Sequence, residues 1–158
     1  MLFFLSIMTN CGGDDFYNLG IYYGKKGDHK KAIEYFNKAI NKNPKDIDAY
    51  HNRGISKQMI GDEIGAIEDY TKAIELKPND FDSYTNRGVA KMRLDRYDEA
   101  IVDYKKAIEI NNKFDLAYSN LGNVYFLMQD FDKACESWKK AVELGNKDSE
   151  DKIFNSCK

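Results

Sequence analysis

Apolar positions in this chain follow a helical spacing, and the spacing itself returns at a longer interval. From residue 66 to 78, Ala66, Tyr70 and Ala73 lie four and then three apart, so one helix face carries a ring between two small residues. The same face recurs as Ala32, Phe36 and Ala39, as Ala100, Tyr104 and Ala107, and as Ala134, Trp138 and Ala141, each copy 34 residues after the last. A second helix precedes each copy and carries a glycine at a fixed place (Gly20, Gly54, Gly88, Gly122), where a side chain would keep two helices apart. The pattern predicts paired helices over 14–26 and 29–41, 47–60 and 63–76, 81–94 and 97–110, and 115–128 and 131–144. Gly27 and Gly61, with Asp28, Asp62 and Asp130, mark the turns and caps inside the pairs. Gly65 falls inside a helix, at an expected cost of about 1 kcal/mol relative to Ala, which makes the second repeat the softest.

These residues resemble the tetratricopeptide repeat (TPR) family, a helix-turn-helix repeat of this length. Repeats at 13–46, 47–80, 81–114 and 115–148 each meet its pattern of small and aromatic positions. The closing proline is present as Pro44 and Pro78, with Asn112 and Asn146 in its place later. The resemblance implies an all-α fold, a right-handed α-solenoid of four helix pairs with Tyr70, Tyr104 and Trp138 buried between layers. Residues 149–158 then read as a short capping helix with Ile153 and Phe154 facing inward, covering apolar surface that the last pair would otherwise leave in water.

Composition narrows the function. Lys plus Arg number 24 and Asp plus Glu 26, a formal charge of −2, without a basic block. That balance argues against a nucleic acid partner, whose phosphates demand a positive stripe. No apolar run is long enough to span a bilayer. Residues 1–12 stand outside the repeats: an apolar run, Met1 to Met8, leads to Cys11. Two readings stay open, a signal segment ending at a lipidated Cys11 as in bacterial lipoproteins, or an apolar tail packed on the first repeat. No Lys or Arg precedes the run, and Met8 and Asn10 depart from the residues usual before a lipidated cysteine. The first reading places the protein in a bacterial cell envelope with Cys11 as its only membrane contact, the second in the cytoplasm.

No catalytic constellation, metal site or cofactor motif emerges, so a non-enzymatic binding protein is expected. His29 and His51 lie in different helices without ligand partners at metal spacing, and His29 reads as a helix-start residue. Arg53 and Arg87 stand where the outer repeats have Leu19 and Leu121, and only those two repeats carry an Asp sixteen residues later, Asp69 and Asp103. A half-buried Arg needs a carboxylate, so two structural ion pairs are predicted, Arg53–Asp69 and Arg87–Asp103.

The resemblance places the ligand surface on the first helices of the pairs. Each carries Asn six residues into its repeat, Asn18, Asn52, Asn86 and Asn120, and an amide ladder suits the backbone of an extended peptide. Tyr17, Ile55, Met59, Val89, Met92, Asn123 and Phe126, with Ile21 and Leu127 nearby, give this peptide-binding groove apolar anchor sites. The family's carboxylate clamp for chaperone tails calls for Lys and Arg at places that here hold Tyr17, Asp82 and Leu116, so that ligand is rejected. The expected partner is another protein held through an extended segment. The alternative is a lipid-anchored assembly factor of an envelope complex that works through convex or end surfaces. Finally, Cys135 occupies the core place of Ile33, Ile67 and Ile101. Cys135 and Cys157 are symmetric about the turn near Gly145, so an antiparallel hairpin would bring them within disulfide range.

Overall fold

The computed structural model describes residues 13–157. Cys11, the apolar run before it and Lys158 lie outside the described residues. Among the described residues all regular structure is helical. The helices are α1 (Gly13–Lys25), α2 (His29–Lys42), α3 (Ile47–Met59), α4 (Glu63–Leu76), α5 (Phe81–Arg93), α6 (Tyr97–Ile110), α7 (Asp115–Leu127), α8 (Phe131–Glu143) and α9 (Asp148–Ser156). The chain forms two compact units that divide between Lys77 and Pro78. In the first, α1, α2, α3 and α4 pack successively in chain order; in the second, α5 to α9 do the same. Each unit is thus a pair of antiparallel helix hairpins of the α-solenoid kind, and the second adds α9.

One contact is repeated in every hairpin. A Cβ placed on Gly20, Gly54, Gly88 or Gly122 would come within 2.5–2.8 Å of the ring of Phe36, Tyr70, Tyr104 or Trp138. The first helix of each pair therefore rests its backbone on the ring of the second. Buried alanines flank each ring: Ala32 and Ala39, Ala66 and Ala73, Ala100 and Ala107, Ala134 and Ala141. The turn after each first helix needs one left-handed residue, Gly27 and Gly61 in the first unit. In the second unit Asp95 (φ 57°) and Gln129 (φ 63°) take that strained conformation without being glycine, two turn positions the glycine signal could not reveal.

The ring tips are treated differently from repeat to repeat. Phe36 has none, Tyr70 donates to Gln58 Oε1 at 2.6 Å, and Trp138 Nε1 donates to Asn123 Oδ1 at 3.1 Å. Tyr104 is buried with no partner for its hydroxyl among the described residues, because Met92 stands where the second repeat has Gln58. Burial, followed by the nearby Asp103 carboxylate, pushes the Tyr104 phenol well above its ordinary pKa.

The two inner repeats also bury ions. Arg53 Nε and Nη2 donate to Asp69 at 2.8 and 2.5 Å, and Arg87 does the same to Asp103 at 2.9 and 2.7 Å. Each cluster has a third member that the sequence reading missed. Lys57 Nζ lies 3.0 Å from Asp69, and Lys91 Nζ lies 2.7 Å from Asp103. Both aspartates are 2% exposed, so each carboxylate is compensated by two cations. In the first repeat the corresponding places hold Leu19, Tyr23 and Tyr35, and the two tyrosine rings stack at 5.2 Å, nearly parallel.

Two expectations need correction. Gly65 lies inside α4 as expected, but in its first turn, where its N–H caps onto Asp62 Oδ1 and a Cβ would meet that carboxylate, so the cost of a mid-helix glycine does not apply to it. Phe154 does not face inward; it is 87% exposed, while Ile153 packs on the core of the second unit. The cause is a shortened step. Ser149 is fully buried, with its hydroxyl 3.0 Å from Ser119 Oγ and 2.9 Å from Asn146 Oδ1, and this seating brings Ile153 and not Phe154 onto the core. A disulfide then joins Cys135 to Cys157, with Cα atoms 5.7 Å apart.

These arrangements make two measurable differences between sister repeats. Tyr104→Phe removes an unpaired buried hydroxyl and should leave stability unchanged or raise it by up to about 1 kcal/mol, whereas Tyr70→Phe loses a made hydrogen bond and should cost about 1 kcal/mol in urea unfolding. The raised Tyr104 pKa has a sign. Its stabilisation is complete below the free tyrosine pKa near 10 and is lost as pH rises above it, because the unfolded chain ionises first; Tyr104→Phe should flatten that alkaline decline. Asp103→Ala strands Arg87 and Lys91 together and should cost about 3–5 kcal/mol, against at most about 1 kcal/mol for Glu75→Ala at the exposed Lys72–Glu75 pair.

Candidate functional site

In the first unit the predicted groove residues lie on α1 and α3. Asn52 Nδ2 donates to Tyr17 Oη at 3.2 Å and to the Asp48 carbonyl at 2.8 Å. Both amide hydrogens are thereby spent, and the side-chain carbonyl is what Asn52 can offer a ligand. Burial raises the Tyr17 pKa, with Asp48 and Asp46 adding to the effect and the Asn52 hydrogen bond opposing it. Asn18 is exposed. Beside this pair lies a cleft of about 210 Å³ whose walls include Ile21, His29, Phe36, Asn52, Ile55 and Ser56. His29 therefore does more than begin α2: it lines the cleft, and its Nδ1 is buried without a hydrogen-bond partner among the described residues. Met59 is 61% exposed at the end of α3 and does not line this cleft.

In the second unit Asn86, Val89 and Met92 share one face of α5, and Asn120, Asn123 and Phe126 share one face of α7. Met92, Asn123, Phe126 and Leu127 meet Trp138 in a cleft of about 430 Å³ that α9 closes with Asp151, Lys152, Asn155 and Ser156. Asn123 is not free in it, since its carbonyl oxygen accepts from Trp138 Nε1. Asn86 and Val89 lie outside this cleft on the same helix as Met92. Phe126 bridges the site to the hairpin turn, with its ring 5.6 Å from Trp138 and 5.5 Å from Phe131. The lining is chiefly aromatic and aliphatic with a few polar groups at its edge, the usual composition of a ligand cleft.

The α9 wall escaped the sequence reading. Asn52 reaches Tyr17, the residue before Asn18 on the preceding first helix; Lys152 Nζ reaches Ser119 Oγ at 3.3 Å, the residue before Asn120. Lys152 thus takes the ladder place on α9, at a step of 32 residues from position 120 to 152 instead of 34. Strict periodicity points to Phe154, so the signal was there only for a reader who allowed a shortened last step. Burial lowers the Lys152 pKa, with Asp148 opposing it.

A larger cleft of about 610 Å³ opens elsewhere on the α7–α8 hairpin, along Tyr118, Leu121, Tyr125 and Ser137. Its counterpart one repeat earlier is a cleft of about 440 Å³ along Tyr84, Arg87 and Asp103, and a mixed rim of Lys133, Lys139, Lys140, Glu136 and Glu143 surrounds the larger one. Among the described residues, no cluster of His, Cys, Asp and Glu could hold a metal ion, and no helix is long and apolar enough to cross a membrane.

Comparison with known proteins agrees with the helix-pair architecture. Models described as "Tetratricopeptide repeat" match residues 14–46, 35–68 and 115–148, and a "TPR repeat" model matches 64–95 and 92–129. A MamA crystal structure superposes with a TM-score of 0.81 at 29% identity, over 87% of this chain and 81% of that one. MamA from Desulfovibrio magneticus RS-1 superposes with a TM-score of 0.78 at 22% identity, over 84% and 75%, a likeness of fold. An uncharacterized protein of Methanocaldococcus jannaschii, MJ0572, is 54% identical over 35 residues, which span 22% of this chain and 41% of the length of that relative.

Proposed function

The chain belongs to the tetratricopeptide repeat family of protein-interaction scaffolds, and from that premise we propose that it binds an extended segment of another protein along the first helices of its hairpins. The observation that carries this reading is the cleft of the second unit. There Met92, Phe126, Leu127 and Trp138 offer an apolar seat for an apolar side chain, next to the row of Asn120 and Lys152. An extended peptide places every second side chain on one face, so apolar anchors fill clefts while the intervening backbone meets polar groups. In the first unit the Asn52 carbonyl accepts a peptide N–H beside Ile21 and Ile55. Charged groups at the cleft edges set orientation rather than affinity, because they remain near water.

A second reading concerns location. The Cys135–Cys157 disulfide supports an oxidising compartment, and with it the envelope placement that a lipidated Cys11 would give. Under that reading the partner is a component of an envelope complex.

A photo-crosslinking residue placed at Phe126 should capture the partner, and one at Val102, exposed on α6, should not. Asn52→Ala combined with Asn86→Ala should weaken binding of the captured partner roughly tenfold to thirtyfold, at about 1 kcal/mol for each amide pairing. Capture from Val102 with none from Phe126, or full affinity in the double variant, would move the interface to the convex or end surfaces.

A further inference from the structure

The Cys135–Cys157 disulfide has a second role that rests on the cleft reading above. We propose that it is a redox latch on that site: oxidised, it holds α9 in place as the cleft wall, and reduced, it releases α9 and dismantles the binding site.

The argument begins with how little else holds the wall. Helix α9 has nine residues, a length at which an isolated helix is unstable in water, and its one N-terminal side-chain cap among the described residues is Asn146, whose Oδ1 accepts from Ser149 N–H at 3.1 Å. Its first turn is anchored, because Ser149 is buried against Ser119 and Asn146. The part that lines the cleft is the later part, Lys152, Asn155 and Ser156. In that part Phe154 is 87% exposed, and Asn155 Nδ2 bonds only within its own helix, to the Asp151 carbonyl. The remaining ties are the Ile153 side chain, the Lys152–Ser119 hydrogen bond and the disulfide, which follows Ser156 directly. On the other side Cys135 sits in α8, at the place where the other repeats carry a core isoleucine, so the bolt is seated in the body of the hairpin.

The bond closes a loop of 22 residues, and opening it removes the covalent tie between the end of α9 and α8. Both cysteines are half-buried, within reach of a small reductant. The chemistry balances with a dithiol. One thiolate attacks a sulfur of the bridge, forming a mixed disulfide and expelling the other cysteine as thiolate; the second thiol of the reductant then closes on the first. The S–S bond of the protein breaks, the reductant leaves as its own disulfide, and two electrons and two protons end on Cys135 and Cys157.

Trp138 is the single tryptophan of the chain and lines the cleft, so it reports occupancy directly. The probe is 8-anilinonaphthalene-1-sulfonate, an apolar dye read by energy transfer from Trp138. Oxidised protein should bind it at one site, and Phe126→Ala with Leu127→Ala should weaken that binding by about tenfold; an unaffected affinity in this arm refutes the cleft reading itself, whatever the redox state. Reduction with excess dithiothreitol should lower dye affinity of the unmutated protein by about tenfold. In hydrogen exchange it should also strip protection from α9 while α7 and α8 keep theirs. Cys157→Ser without reductant should reproduce both effects and respond no further to the dithiol. Unchanged affinity after reduction overturns the latch, with or without loss of α9 protection. So does loss of protection throughout the second unit, which would make the disulfide a staple of the whole fold.

Discussion

Everything in this protein depends on four places where a helix backbone lies directly on an aromatic ring. Because Gly20, Gly54, Gly88 and Gly122 lack a Cβ, the first helix of each pair approaches until the ring of Phe36, Tyr70, Tyr104 or Trp138 fills the gap. A methyl group at any of these glycines must displace a buried ring. The flanking alanines serve the same end, since larger residues would lift the helices apart. The contact binds each hairpin internally and leaves the outward face of each first helix free to vary.

What varies is how neighbouring layers are joined around that contact. The inner repeats use buried ions, one Asp held by an Arg and a Lys, with the Arg guanidinium also facing a tyrosine ring (Tyr50 or Tyr84) at 5.4 Å. The first repeat uses the stacked Tyr23 and Tyr35 instead, and the fourth uses Leu121, Tyr125 and Ser137, which line a cleft on their own hairpin. Buried ion clusters bring little net stability over apolar packing, but they punish any arrangement that separates their members. The Arg53 cluster also reaches beyond its own hairpin. Arg53 shows this directly: its Nη1 donates to Asn37 of the preceding hairpin at 2.6 Å.

The candidate site arises where the repetition ends. Helix α9 is short and seated by Ser149. It completes the cleft that α5, α7 and α8 leave open, and it brings a lysine to a row otherwise made of asparagines. A scaffold with identical faces along its length would bind a repetitive ligand without register. The lysine and the apolar seat beside it give this cleft a charged as well as an apolar wall.

The periodicity of small and aromatic residues was sufficient, by itself, to determine the helix pairs, their order and the buried rings, because close packing of a repeated contact leaves a repeated trace. Internal comparison of the repeats also exposed Arg53 with Asp69 and Arg87 with Asp103, since charge that departs from an apolar template needs compensation. Symmetry about a turn was enough to pair Cys135 with Cys157. Tertiary structure alone decided the rest. Lys57 and Lys91 look like surface charges until the fold aims them at a buried carboxylate. Tyr104 looks like Tyr70 until Met92 is seen to leave its hydroxyl unpaired. Lys152 lines the cleft and Phe154 stays exposed because α9 is seated through Ser149, a placement set by contacts across helices that no local pattern encodes.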